Sequence, residues 1–118
     1  MIFELREYQA APGELGRLNR RFADHTLRLF RRHGLDVVGF WADASDPSTL
    51  VYLLRFSDQQ ERDRAWEAFK SDPEWQRVKA TSEADGALTV SQSSRLLVLA
   101  DYWEDAGADI VGQVHPSP

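Results

Sequence analysis

The first segment of the chain carries charged and hydroxyl side chains at alternate positions. Glu4, Arg6 and Tyr8 stand two residues apart, so they share one face of a strand. Arg6 and the Tyr8 hydroxyl could stabilise negative charge on a reacting oxygen. Burial of Glu4 and Arg6 between two sheets would require them to pair. Two interpretations therefore stay open: a polar network between subunits, or a clamp on a substrate.

His25 is the candidate for proton transfer. It follows Phe22 by three residues and precedes Leu29 by four, which places it beside the apolar stripe of a helix. It could act as a general base, or as a hydrogen-bond donor, in a cleft between helix and sheet. Tyr8 would be its catalytic companion. The alternative is a partly buried histidine bonded to a backbone carbonyl or a carboxylate.

Aromatic side chains are the candidates for holding a substrate, because they bring large apolar areas to pockets as well as to cores. Trp41 lies near a strand end, so we expect it to wall the cleft. Arg95 opens the last strand and could join the polar network or bind a carboxylate through two hydrogen bonds. The competing interpretation is that the aromatic residues form the core. The candidates for substrate contact are Trp41, Trp66, Tyr52 and Arg95.

Hydrophobic periodicity predicts the elements that position these residues. Helical spacing extends over residues 14–33, and a second helix begins after Ser57 or Asp58. Asp72-Pro73 restarts a short helix, and residues 81–91 are expected to form a loop. The order β-α-β-β-α-β predicts an α+β, ferredoxin-like antiparallel sheet with helices on one face. The strands are expected over residues 2–9, 36–43, 49–56 and 95–100.

The later strands have apolar residues at both parities, as in Val37-Val38 and Leu53-Leu54. Both faces of the sheet must therefore be buried. Helices cover one face, and a second copy of the sheet is the natural cover for the other. The pattern predicts a homodimer formed through the sheet face.

Composition excludes several classes of protein. A net charge of −5 argues against a nucleic-acid partner. No charged region precedes an apolar run at the N-terminus and no apolar run is long enough to span a membrane, so we expect a cytoplasmic protein. The absence of Cys fits a reducing or an oxidising compartment equally well. No motif for a metal or a cofactor is present, and none is expected. One basic run is interpreted as a solvated helix surface, or alternatively as a surface for a partner. It consists of Arg17, Arg20, Arg21, Arg28, Arg31 and Arg32.

Seven short segments, in their order and spacing, resemble the NIPSNAP family over about residues 2 to 100. The connector 81–91 and the end of the chain depart from the family's usual form. The resemblance implies a dimeric α/β-barrel domain over residues 1–101 and a C-terminal tail over 102–118. The matching segments are Glu4-Leu5-Arg6 with Tyr8, Pro12-Gly13, His25, His33-Gly34, Gly39-Phe40-Trp41, Asp72-Pro73-Glu74-Trp75 and Ser94-Arg95-Leu96-Leu97.

The wider superfamily implied by this resemblance includes cofactor-independent monooxygenases, polyketide cyclases, isomerases and haem-degrading enzymes. Their ligands lie between the helices and the sheet. The resemblance implies a protein that binds a small aromatic or polyketide-like molecule there. Such a protein could be a cofactor-independent enzyme of the monooxygenase, cyclase or isomerase type. The alternative is a non-catalytic dimeric binding or interaction module whose aromatic residues are structural core.

Overall fold

Four antiparallel strands form one sheet in the computed structural model, which describes residues 1–103. The remainder of the expected C-terminal tail, residues 104–118, lies outside the described residues. The order across the sheet is β2-β3-β1-β4. This is the ferredoxin-like order, so the predicted α+β fold class is confirmed. The strands are β1 (Ile2–Ala10), β2 (Asp36–Ala42), β3 (Thr49–Phe56) and β4 (Thr89–Leu97).

The helices lie in the two crossovers of the fold. The first crossover is one continuous helix, in which a π-helical segment separates α1 from α2. The second crossover contains α3 and α4. No helix within residues 1–103 has both the length and the apolar character needed to cross a membrane. The helical segments are α1 (Leu15–Arg21), the π-helical segment (Phe22–Thr26), α2 (Leu27–Arg32), α3 (Gln59–Ser71) and α4 (Pro73–Ser82).

Local capping signals explain where α3 and α4 begin. The Asp58 carboxylate accepts a hydrogen bond from the backbone N–H of Glu61 at 2.8 Å. Asp72 accepts from the backbone N–H of Glu74 at 2.7 Å, and Pro73 occupies the first helical position. A side-chain acceptor satisfies an N–H that has no partner inside the helix. The helix starts predicted after Asp58 and at Asp72-Pro73 are therefore confirmed.

The last strand begins earlier than the sequence pattern predicts. β4 pairs with β1 from Thr89, opposite Ala10, to Leu97, opposite Phe3. The predicted loop over 81–91 and the predicted strand start at Arg95 are wrong at this boundary. β4 is an edge strand whose residues are mostly exposed. Its sequence is consequently polar. A strand without alternating apolar residues cannot be recognised from hydrophobic periodicity.

The core lies between the helices and the inner face of the sheet. Tyr52 and Leu54 of β3 are fully buried there, facing Leu18, Leu29 and other apolar residues of the helices. Aromatic rings dominate the centre, where Phe40 stacks on Tyr52 with centroids 4.9 Å apart. The core therefore positions the inner side chains of β1 directly beneath the helices.

The outer face of the sheet carries apolar residues of three strands, namely Phe3, Leu53 and Leu97. They line a depression of about 440 Å³ together with residues that follow β4. Val98 beside it is 78% exposed and Trp103 is 46% exposed. Covering this surface would remove apolar area from water.

Candidate functional site

A cavity of about 220 Å³ lies between the sheet, the π-helical segment, α3 and α4. Six of its twelve lining residues are aromatic and the other six are polar or charged. The lining residues are Arg6, Tyr8, Arg21, Phe22, Thr26, Phe30, Trp66, Phe69, Lys70, Trp75, Lys79 and Gln92.

A chain of polar groups forms the sheet side of this cavity. The Arg6 Nη2 donates to the Tyr8 hydroxyl at 3.0 Å, and the Tyr8 and Tyr52 hydroxyls hydrogen bond at 2.9 Å. The Arg6 guanidinium lies over the Trp66 ring, 4.6 Å from its centroid. Its Nε is buried and has no partner among the described residues. Arg6 therefore lines the cavity with one buried donor unused, and stacking on Trp66 holds its guanidinium in place.

Burial raises the pKa of the Tyr52 phenol well above its usual value. The neighbouring Tyr8 hydroxyl adds to the rise, while the Arg6 cation opposes it. Tyr52 consequently keeps its proton, and the hydroxyl pair can donate toward a negatively charged oxygen.

Glu4 is the fully buried carboxylate beneath this group. It accepts two hydrogen bonds from Arg62, at 3.0 and 2.9 Å, and one from the Trp66 indole at 2.8 Å. Ser94 donates at 2.5 Å and Arg6 at 3.3 Å. Burial acts to raise the pKa of Glu4, but the bonds from Arg62, Ser94 and Trp66 outweigh it and lower the pKa to about 2. Glu4 is therefore ionised and holds Arg6, Arg62 and Trp66 in place, and both of its oxygens already accept hydrogen bonds.

The charged residues that line the cavity are all cations: Arg6, Arg21, Lys70 and Lys79. Arg21 is 7% exposed. It bonds Glu83 at 2.8 Å and lies 5.3 Å from the Trp75 ring centroid. The described lining contains no carboxylate, although Arg6 and Arg21 pair with Glu4 and Glu83 beside it.

The structure places His25 away from Arg6 and Tyr8. His25 lines an outer groove between the first helix and α4, and the cavity lining does not include it. Its predicted orientation toward the cleft is wrong. The pattern assumed regular α-helical spacing, whereas His25 lies in the π-helical segment. A π-helix bonds i to i+5 and so changes the direction of the side chains that follow.

Two candidate substrate contacts lie on the opposite face of the sheet. Trp41 is 53% exposed and packs across Gly39 of its own strand. Arg95 is exposed and stands opposite Leu5 on the outer face. Trp41 does not wall the cavity and Arg95 does not join Glu4, which corrects both expected positions. The sequence pattern shows which residues share a face of the strand. It does not show which of the two faces the helices cover.

The expected polar network between two sheets is also corrected. Glu4 and Arg6 face the helices and pair with each other and with Arg62 of α3, within one chain. The structure does bring together Arg6, Tyr8, Tyr52 and Trp66 from the residues singled out in the sequence.

The sequence patterns missed the cavity residues Thr26 and Lys79 and the Glu4 partners Arg62 and Ser94. Nothing local marks a lysine of α4 or a serine of an edge strand as a neighbour of β1. The spacing of Glu4 and Arg62 gives no signal either, because 58 positions separate them. No group of three His, Cys, Asp or Glu within residues 1–103 lies close enough together to hold a metal ion.

Comparison with solved structures shows the same fold in several proteins. An uncharacterised NIPSNAP domain protein from Burkholderia xenovorans is 22% identical, covering 86% of this chain and 97% of that one, with a TM-score of 0.74. A NIPSNAP family protein from Agrobacterium tumefaciens is 17% identical, covering 86% and 94%, with a TM-score of 0.75. An antibiotic biosynthesis monooxygenase is 13% identical, covering 85% and 99%, with a TM-score of 0.61.

The comparison with curated proteins found no match. The sequence model of the NIPSNAP family matches residues 3–103, which include the four strands, the helices and the cavity between them. The chain therefore belongs to the NIPSNAP family.

Proposed function

We propose that the protein binds a small aromatic or polyketide-like anion in the cavity between the helices and the sheet. The observation that carries the proposal is the partly buried Arg6 guanidinium, which stacks on Trp66 and whose buried Nε has no partner among the described residues. A buried donor without a partner is costly. A carboxylate or enolate oxygen of a ligand would satisfy it, and the aromatic walls would hold the ring.

The size and charge of the cavity support the same ligand class. At about 220 Å³ it is smaller than the pockets of roughly 300–1,000 Å³ that hold drug-sized ligands. Lys70 and Lys79 add positive charge to the lining. A compact aromatic acid or an acidic 1,3-diketone fits these features better than a neutral or cationic molecule.

We expect aromatic carboxylates such as salicylate to bind more tightly than their neutral amides, such as salicylamide. Arg6→Met should weaken carboxylate binding about tenfold or more, because a hydrogen bond to a charged group contributes about 1.5–3 kcal/mol. Isothermal titration of both ligands against the wild type and the variant measures this effect. Shifts of the Trp66 and Trp75 indole N–H resonances locate the ligand.

Arg55→Met is the matched control, because Arg55 pairs with Asp36 at the sheet edge outside the cavity. Tyr8→Phe tests the hydroxyl separately and leaves the Arg6–Glu4 pair in place. Equal affinity for acid and amide, or equal loss in the Arg6 and Arg55 variants, would contradict the proposal.

We extend the proposal to a reaction on the bound molecule, because one protein that shares the fold is described as an antibiotic biosynthesis monooxygenase. The Tyr8–Tyr52 hydroxyl pair beside Arg6 is suited to hold an enolate or phenolate oxygen. Conversion of the ligand is measured by chromatography, in air and under nitrogen. A conversion that is slower in Tyr8→Phe than in the wild type would support an enzyme. Binding without conversion would support the alternative of a non-catalytic module, which the tightly packed Phe40–Tyr52 core favours.

We also propose that a second copy of the chain covers the outer face of the sheet. Phe3, Leu53 and Leu97 form an apolar surface there, and burying such a surface is favourable. Leu53→Arg should halve the mass measured by light scattering, because a buried unpaired charge opposes association. Ala68→Arg, on the exposed side of α3, should leave the mass unchanged. A monomeric wild type, or a Leu53→Arg variant that stays dimeric, would contradict this proposal.

A further inference from the structure

A basic groove lies outside the cavity, between the first helix and α4, and encloses about 540 Å³. Its lining contains arginines from both helices and a single carboxylate, that of Asp24. This concentration of positive charge stands on a chain whose net charge is −5. The lining residues are Arg17, Arg20, Arg21, Asp24, His25, Arg77, Val78, Thr81 and Ser82.

Two of the arginines are held in place by hydrogen bonds, of which those to Ser82 and Glu83 cross the groove. Arg17 donates to the backbone carbonyl of Ser82 at 2.9 Å and to Glu14 at 2.9 Å. Arg21 donates to the Ser82 hydroxyl at 3.0 Å and to Glu83 at 2.8 Å. These bonds tie the first helix to the end of α4. They fix the walls of the groove and reduce the ordering cost of binding.

Two arginines and one histidine nitrogen of the groove have no partner within the described residues. Arg20 and Arg77 form no ion pair with any residue of 1–103. The His25 Nδ1 is buried and has no hydrogen-bond partner there. An anion with several oxygens can accept hydrogen bonds from more than one of these groups at once.

We infer that the groove is a second binding site, for a small phosphate-bearing anion with more than one negative charge. Guanidinium groups match phosphate oxygens through paired hydrogen bonds. Arg17 and Arg21 already pair with Glu14 and Glu83, so Arg20 and Arg77 are the arginines left to bind the phosphate oxygens. The volume is that of a small-molecule site, and the acidic chain as a whole disfavours a nucleic-acid strand. This site is independent of the aromatic ligand proposed for the cavity, because its test uses neither that ligand nor Arg6.

The test is titration of inorganic pyrophosphate into the full chain, with the affinity measured by calorimetry and the site by the NMR signals of the His25 ring. We expect saturable binding that shifts those signals. Replacing both unpaired arginines, Arg20→Ala with Arg77→Ala, should raise Kd about tenfold or more. Both side chains are exposed, so folding should be preserved, as circular dichroism will check.

The matched control is Arg31→Ala, which removes an exposed arginine of α2 outside the groove. It should leave Kd within about twofold, since an isolated surface charge contributes little. Adenosine diphosphate and phosphatidylcholine vesicles containing phosphatidic acid serve as further probes. Preference for the nucleotide assigns the site to soluble phosphate esters, and preference for the vesicles assigns it to a lipid headgroup. Either binding must be lost in the double variant.

Three results would overturn the inference. The first is that the wild-type protein binds neither pyrophosphate, nor adenosine diphosphate, nor the vesicles that contain phosphatidic acid. Another is equal weakening in Arg31→Ala and in the double variant, which would indicate unspecific attraction. The third is binding that leaves the His25 signals unchanged, which would place the anion elsewhere.

Discussion

Glu4→Ala is expected to destabilise the folded protein by about 3 kcal/mol, because it leaves two partly buried cations without their counter-charge. Glu4 is 0% exposed, and its oxygens accept bonds from Arg62, Trp66 and Ser94. The alanine variant also leaves the Trp66 indole N–H without an acceptor. Urea unfolding followed by tryptophan fluorescence measures the loss.

Asp36→Ala is the control for this experiment, because it breaks the pair with Arg55 on an exposed part of the sheet. An exposed pair contributes about 0–1 kcal/mol. Glu4→Gln keeps the shape of the side chain and removes the charge, so it gives a value if the alanine variant does not fold. A Glu4→Ala variant as stable as Asp36→Ala would contradict the role of Glu4 as an anchor.

Acid should destabilise the protein steeply between about pH 5 and pH 2. Burial acts to raise the pKa of Glu4, but the bonds from Arg62, Ser94 and Trp66 lower it to about 2. The unfolded chain has a glutamate pKa of about 4.3. Below about pH 5 the unfolded state therefore binds a proton that the folded state does not. The stability that Glu4 contributes is complete above this window and is lost as the pH falls through the folded pKa.

Asp72 adds to the same acid dependence. The pKa of Asp72 is lowered to about 2, mainly by the hydrogen bond from His33 and also by bonds from the Glu74 N–H and Arg32, which together outweigh the opposing effect of burial. Its stabilising effect is also present at neutral pH and is lost on acidification. Because Asp72 also caps α4, its protonation weakens the start of that helix.

Urea unfolding at a series of pH values, for the wild type and Glu4→Gln, checks this prediction. Each group that titrates in this way contributes a slope of at most about 1.4 kcal/mol per pH unit. Glu4→Gln should therefore show a shallower decline between pH 5 and pH 2 than the wild type. Parallel declines in the two proteins would mean that Glu4 does not carry the acid dependence.

The fold and part of the site were readable from the sequence because their signals are local. The alternation in β1 placed Glu4, Arg6 and Tyr8 on one face, and the structure has all three there. The caps at Asp58 and Asp72 follow from the residues next to them. The chemical grouping of Arg6 with Tyr8 was predictable for the same reason.

The sequence alone determined the order of elements, the caps and the side chains that share a face, since periods of 2 and 3.6 are properties of neighbouring residues. Only the tertiary structure decided that the face with Arg6 meets the helices, that Trp41 lies outside, and that His25 turns to the groove. A strand has the same period on both faces, so its pattern does not say which face the helices cover. That choice, like the π-helical segment, depends on packing between residues far apart in the chain.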